Sequence, residues 1–334
     1  MKILVTGGYG FIGSNFINIA AQLGHEIINV DCVTYAANKQ NIKVDNIRTF
    51  EENIINRKEV EKIILDFKPE KIIHFAAESH VDNSISNPLV FLETNILGTY
   101  NLLSSAQKLK NDFQYVHIST DEVFGDLDSE GFFSEKTSYD PKSPYSASKA
   151  SSDHLVRSWA NTYNFPATIV NCSNNYGPNQ HKEKLIPKII TNCLNGEKIP
   201  IYGNGQNIRD WIFVNDFCGA IIKIIEDKEK TLNETFCIGA NEELTNLDIT
   251  KKICHMINEQ FDLKHDCLDL ITFVDDRLGH DFRYAIDASK ISRVLNWKPG
   301  YNFNEGIQKT IEYYKDLKWK VLFLLADMEL DFIL

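Results

Sequence analysis

Three glycines, Gly7, Gly10 and Gly13, stand three apart directly after the apolar run 2–5, where a helical pattern opens. A strand, a glycine-rich turn and a helix in that order form the dinucleotide-binding βα turn, which few folds share. Glycine allows the tight turn, the close approach of backbone to a pyrophosphate and the packing of helix on strand. The helix start then offers unpaired N–H groups and the positive end of its dipole to phosphate. Turns also use glycine for other reasons, so the triplet gains weight from its surroundings. Asp31 ends the second strand pattern, where a carboxylate accepts from the adenosine ribose hydroxyls. Its charge would repel a 2′-phosphate, so the expected cofactor is NAD rather than NADP.

The first half alternates short β-branched runs with helical patterns, the mark of a doubly wound parallel α/β sheet. Strands are expected over 2–5, 26–30, 48–51, 71–75, 114–118 and 167–171. A helix beginning near Pro88 places Leu92, Ile96, Tyr100, Leu103 and Ala106 on one face. Another runs from about Pro144 to Tyr163, with Leu155, Trp159 and Tyr163 continuing the spacing. After Asn171 polar, turn-rich segments take over, including Gly203-Asn204-Gly205, and residues 275–284 are rich in Asp, Arg and His. We therefore expect a Rossmann domain over 1–171, completed by about 213–240, a smaller substrate lobe over 172–320, and an extra tail over 321–334. Val321–Leu325 in that tail should pack as a terminal helix. The apolar faces of the two long helices imply a homodimer through a helix bundle.

Charge and cysteine usage narrow the partners. A formal net charge of −11 argues against nucleic acid or an anionic membrane, both of which reward clustered Lys and Arg. It leaves room for an anionic small ligand held by a few local cations. The seven cysteines are scattered, with no C-x-x-C or zinc-like spacing. Buried free thiols, no metal site and a reducing compartment, the cytoplasm, are expected. The first residues begin a strand at once, without a signal-peptide layout, and no apolar run approaches the ~20 residues that cross a bilayer.

Two clusters carry chemistry. Tyr145 and Lys149 stand at i and i+4, on one helical face. An adjacent ammonium favours the phenolate and should lower the phenol toward working pH, making it a base for a hydroxyl whose carbon loses hydride. Taken alone, the same spacing suits any solvated helix. Ser119-Thr120-Asp121-Glu122 follows the fifth strand, at the carboxyl end where ligands of open α/β sheets bind. Two carboxyl groups there suit elimination, one taking a proton and one protonating the leaving hydroxyl, with mutual burial raising at least one pKa. A capping pair at a loop is the plainer alternative.

With these pieces the chain resembles the dTDP-glucose 4,6-dehydratases of the extended short-chain dehydrogenase/reductase superfamily, from Met1 to about Lys318. The likeness rests on residues 76–82, 119–125, 145–155, 172–178, 183–187, 209–211 and 277–287. Related 4-epimerases share the glycine turn and Tyr-x-x-x-Lys but lack the Thr-Asp-Glu step. The resemblance implies that Thr120 orients the C4 hydroxyl of a glucose nucleotide, with Tyr145 as its base and Lys149 supporting Tyr145 and the nicotinamide ribose. It makes Asp121 the acid at the C6 hydroxyl and Glu122 the base at C5. The net change is loss of water across C5–C6 with a recycled NAD, giving a 4-keto-6-deoxy sugar for deoxysugar biosynthesis.

For the cofactor it implies Phe11, Ile12, Asp31, Thr34, Asn53, Ile54, Ala76, Ala77, Thr94 and Asn174 beside the glycine turn. For the nucleotide sugar it implies Ser79, Asn175, Glu183, Lys184, Leu185, Arg209, Asn246, Arg277, His280 and Tyr284. Arg209 and His280 can both donate to diphosphate oxygens. Several positions depart from the family pattern: Phe124 for Tyr, Asn53 for Asp, Asn83 for Arg, and the loop 179–182. The last two are similar to eukaryotic dehydratases that take UDP-glucose, so thymine and uracil both stay open. A nucleotide-sugar 4-epimerase and a non-catalytic NAD-binding regulator are the rival functions.

Overall fold

The structure, a computed structural model, describes residues 1–330, with side chains through Leu317. The first half contains β1 (Lys2–Thr6), α1 (Phe11–Gln22), β2 (Glu26–Asp31), β3 (Arg48–Glu51), α2 (Arg57–Phe67), β4 (Lys71–His74), α3 (Val81–Ser86) and α4 (Pro88–Phe91). A π-helical segment (Leu92–Gly98) leads into α5 (Thr99–Ala106), β5 (Gln114–Thr120), α6 (Pro144–Tyr163) and β6 (Ala167–Cys172). Then come β7 (Asn174–Tyr176), α7 (Leu185–Asn195), β8 (Ile199–Tyr202), β9 (Ile208–Phe213), α8 (Val214–Glu226), α9 (Lys228–Thr231) and β10 (Thr235–Ile238). The chain continues through β11 (Glu243–Thr245), α10 (Asn246–Gln260), β12 (Ile271–Val274), α11 (Ser289–Leu295) and α12 (Phe303–Leu330).

Seven parallel strands form the main sheet in the order β10-β6-β5-β4-β1-β2-β3. All six strands expected from the sequence lie in it, and β10 adds the edge beside β6. Helices cover both faces, so β5 and β6 are buried along their whole length, as sheets of this kind require. The strand order reverses at β1, which has β2 on one side and β4 on the other. That switch point opens a crevice at the carboxyl ends.

Two smaller sheets, β11-β9-β7 and β12-β8, belong to the second half. Strand β9 joins the two cores by its period of two. Trp211 and Phe213 pack with Ile190, Ile253 and Ile307, whereas Ile212 packs with Val170 and Phe217 of the main core.

The two long helices turn differently from their apolar stripes. Around α4 and α5 the buried residues are Phe91, Asn95, Gly98, Thr99, Asn101, Leu102, Leu103, Ser105 and Ala106. Leu92 of the expected face is 44% exposed. The wide π turn is the cause, since it carries extra backbone per turn and breaks the 3.6 period. It also buries Asn95, which bonds both backbone groups of Glu78 (3.0 Å each) and Ser148 Oγ (2.8 Å). On α6 the buried face is Tyr145, Ser148, Lys149, Ser152, Asp153 and Val156, while Tyr163 is exposed. Among the described residues, no helix is long and apolar enough to cross a membrane. Side-chain packing of Val321–Leu325, and the end of the tail, lie outside the described residues.

Candidate active site

The cofactor half of the crevice is shaped by backbone. Gly7 has φ +74° and donates its N–H to Val30 O at 2.9 Å. A Cβ there would sit 2.7 Å from Ala76 Cα, and one on Gly13 would sit 2.3 Å from Gly7 O. Only glycine lets β1, β4 and α1 meet this closely. Gly10 caps α1 without a side-chain hydrogen bond, and the first turn holds no acidic residue. The N–H groups of this helix start are therefore presented with no acidic side chain in the helix's first turn, which fits a pyrophosphate. Asp31 accepts from Tyr9 N (2.9 Å) and Val33 N (2.8 Å), and burial pushes its carboxyl above the ordinary value. Val33 sits in the left-handed region at φ +52°, costly for a β-branched residue, and holds this corner around the carboxylate. An NAD-shaped ligand fits this cradle: the cleft is lined by Gly7, Gly10, Phe11, Ile12, Gly13, Asp31, Thr34, Asn53, Ile54, Ala76, Ala77, Thr94, Tyr145, Lys149 and Asn174.

The reacting groups meet at the end of β5. Thr120 starts a 3₁₀ turn over Asp121–Phe124; its Oγ1 accepts from Glu122 N at 3.3 Å and donates to Asp121 Oδ1 at 3.2 Å. Burial, then the neighbouring Glu122 and Asp210, push the Asp121 carboxyl well above the usual range. Burial also raises Glu122, but Arg277, Arg209 and Lys184 oppose it. The environments thus raise both groups but part them, Asp121 well above its usual range and Glu122 less so because three cations oppose the rise. The plainer capping role is also present, because Thr120 does cap the turn.

Helix α6 begins where Ser143 and Ser146 form a reciprocal capping box and Pro144 takes the first turn. This sets Tyr145 at the crevice, opposite Thr120. The expectation that Lys149 lowers the phenol is not met. Burial and then Glu122 push Tyr145 well above its ordinary value, and the downward pull comes from a hydrogen bond with Thr120. Lys149 aims elsewhere: its Nζ donates to Ile118 O at 2.7 Å.

Charged side chains build the sugar half. Ser79, Asn175, Glu183 and Lys184 line the same cleft as Thr120, Asp121 and Glu122. Lys184 donates to Ser79 O (3.0 Å), and Glu183 accepts from Tyr35 OH (3.2 Å), which accepts from Asn83 (3.1 Å). Leu185, Arg209, Asn246, Arg277, His280 and Tyr284 are not on that lining. Leu185 and Asn246 begin α7 and α10. Arg209 is buried, lies 4.2 Å from the Tyr284 ring centre and donates to Asp281 O and Phe282 O. Tyr284 donates to Asp281 Oδ2, and His280 Nδ1 is 2.6 Å from Asp276 Oδ1. Arg277 Nε is buried with no hydrogen-bond partner among the described residues. Arg209 and Arg277 nevertheless bear on Glu122 through their charge.

The departures have local accounts. Phe124 is buried against Phe133 (5.1 Å) and Tyr139 (5.2 Å), where no hydroxyl is needed. Asn53 lines the cleft and accepts from Ile55 N at 2.9 Å. Asn179 donates to Ser14 Oγ and Asn41 O, tying its loop to the cofactor side. Sequence reasoning passed over Gln180, His181 and Glu78, which also line the cleft. Their signal was adjacency to residues already singled out.

A family model described as GDP-mannose 4,6 dehydratase matches residues 4–310. The chain is 47% identical to the dTDP-glucose 4,6-dehydratase of Salmonella typhimurium, over 94% of this chain and 92% of that one. DesIV, the dTDP-glucose 4,6-dehydratase of Streptomyces venezuelae with NAD and dTDP bound, matches with a TM-score of 0.88 at 38% identity, covering 95% of this chain and 97% of that one. A UDP-glucose 4-epimerase of Thermotoga maritima reaches a TM-score of 0.87 at 27% identity, with 95% and 99% covered. Shape alone therefore does not divide dehydratase from epimerase, and the sequence does: the chain belongs to the nucleotide-sugar 4,6-dehydratases, in the dTDP-glucose 4,6-dehydratase family of extended short-chain dehydrogenase/reductases.

Proposed function

We propose that the chain is an NAD-dependent hydro-lyase that converts dTDP-glucose to its 4-keto-6-deoxy product. The observation that carries this reading is the Thr120-Asp121-Glu122 corner beside Tyr145, with both carboxyls raised by burial and Glu122 alone opposed by three cations. Bound NAD supplies a hydride acceptor for C4 and a hydride donor for C6. Thr120 orients the C4 hydroxyl and Tyr145 takes its proton. Glu122, its charge favoured by three cations, removes the C5 proton that the 4-keto group acidifies. Asp121, held protonated, gives its proton to the C6 hydroxyl as it leaves. Lys149 holds the nicotinamide ribose, Asp31 the adenosine ribose, and the turn from Gly7 to Gly13 the pyrophosphate. Arg209 and His280 take the sugar diphosphate, flanked by Asn246, Arg277 and Tyr284, with Asn175, Glu183, Lys184 and Leu185 at the glucose.

UDP-glucose is a second substrate in this reading, because a missing ring methyl is worth only ~1–3 kcal/mol. Residues 1–171 with about 213–240 serve the cofactor, and 172–320 the sugar nucleotide. Exposed Leu89, Leu92 and Leu97 beside the π segment, with Tyr163 on α6, support a homodimer through this face. Six buried free thiols suit a cytoplasmic enzyme. Incubation with dTDP-glucose and UDP-glucose in parallel, with products weighed by mass spectrometry, tests the function. Loss of water with a methyl at C6 is expected. A C4 epimer of unchanged mass would instead establish the epimerase, and no turnover with NAD bound would favour the regulator.

A further inference from the structure

Tyr145 and Lys149 share their face of α6 with a third residue at the same spacing, Asp153. Its side chain is wholly buried. The carboxylate accepts from Tyr139 OH at 2.7 Å, Ser119 Oγ at 2.9 Å and Asn171 Nδ2 at 3.2 Å. Asn171 also donates to Thr120 O at 3.1 Å. The carboxylate is therefore tied to both residues that precede Asp121, Ser119 directly and Thr120 through Asn171. Burial raises this carboxyl, but His117 first and Lys149 next hold it below its ordinary value. His117 lies 3.2 Å away, but burial lowers its imidazole to about 4, so it is neutral at working pH. Arg157 reaches the site only through Tyr139, to which it donates at 2.8 Å. Lys149, one turn earlier on the same face, is left as the partner in charge, and its ammonium is itself fully buried.

We propose that Asp153 is a positioning residue of the reaction, the fixed countercharge of Lys149 and the anchor of the Ser119–Asp121 corner. Elsewhere around Lys149 the titratable groups are Tyr145 on α6, His117 on β5, His74 on β4 and Cys172 on β6. Burial holds both histidines neutral and Cys172 protonated, so they offer Lys149 no lasting negative charge. Burial pulls Lys149 below its ordinary value, and Asp153 pushes it back up. Removing the anion must therefore let the ammonium lose its proton at lower pH.

The inference rests on the proposed function for its kinetic arm only, so it is tested in two ways. Asp153→Asn keeps the shape and loses the charge. The alkaline limb of its kcat–pH profile should move to lower pH by about one unit or more. Tyr139→Phe removes a hydrogen bond and keeps the charge, so its limb should stay in place even if its rate falls. An unmoved limb in Asp153→Asn, or equal shifts in both variants, overturns the proposal. The second arm is a double-mutant cycle on urea stability with Asp153→Asn and Lys149→Met. The pair should lose less than the sum of the single losses, because each single leaves one buried charge alone. Additive losses overturn the proposal. If Asp153→Asn alone fails to fold, a folded double variant supports it and an unfolded one overturns it. Failure of the wild type to make 6-deoxy product would defeat the function and leave the stability cycle decisive for Asp153.

Discussion

The two halves of the crevice are built by different physics. On the cofactor side, recognition is a matter of backbone and clearance: N–H groups at α1, glycines at 7 and 13 where a Cβ would meet backbone at 2.7 and 2.3 Å, and one carboxylate held by two amides. On the sugar side it is a matter of charge, with Asp121, Glu122, Lys184, Arg209, Arg277 and Asp210 acting on one another through buried surroundings. The first half should therefore respond to added atoms and the second to altered charge at constant shape. The largest effect belongs to the second. Glu122→Gln leaves Thr120, Tyr145 and Lys149 in place, so oxidation at C4 should proceed and elimination should stall. A persistent NADH absorbance is expected, with 6-deoxy product down by about 10²–10⁴-fold. Tyr145→Phe should lose product without any build-up of NADH. Normal turnover by Glu122→Gln, or wild-type product made in deuterated water without label at C5, would remove Glu122 from the base role.

Next in size is a clearance effect. Gly13→Ala adds a single methyl group whose carbon would sit 2.3 Å from Gly7 O and 3.0 Å from Gly8 Cα, both backbone. Neither can swing aside as a side chain could, so the turn must shift. A loss of about 1–3 kcal/mol in stability is expected, together with poor retention of NAD on purification. Unchanged Tm and full NAD content would show that the turn tolerates atoms and would break the contrast between the halves.

The same contrast explains what could be read from the sequence. The glycine turn and the six first strands were legible because local backbone demands dictate residue type at fixed spacing. The other cofactor-side residues, implied by the family resemblance rather than by spacing, line the same cleft. Long-range charge leaves weaker marks. Nothing local to Arg209 shows that its guanidinium lies on Tyr284 and bonds the carbonyls of Asp281 and Phe282. The influence of Lys149 on Tyr145 was misjudged because spacing gives a shared face and not where an ammonium points. Asp153 had a mark, the i, i+4, i+8 series from Tyr145, but its partners come from β5, β6 and the loop before α6. The stripe through Leu92 failed because a π turn changes the period without announcing itself in composition.

The last effect, comparable in size to the clearance effect, is a charge effect on stability, at a residue with no place on the cleft lining. Asp210, fully buried on β9, accepts from Glu242 N at 2.9 Å, and burial raises its carboxyl from 3.8 to about 6. Between those two values the folded chain binds a proton that the unfolded chain has released. Stability from this group is therefore fully present below pH ~4 and falls as pH rises toward about 6, by an amount of the order of 3 kcal/mol. Asp210→Asn keeps an acceptor for Glu242 N and cannot ionise. Its Tm should match wild type near pH 4 and exceed it at pH 7. The same substitution removes one of the negative charges that raise Asp121, so that carboxyl should hold its proton less firmly. A Tm difference independent of pH would mean that Asp210 acts through packing, and the sugar half would then resemble the cofactor half.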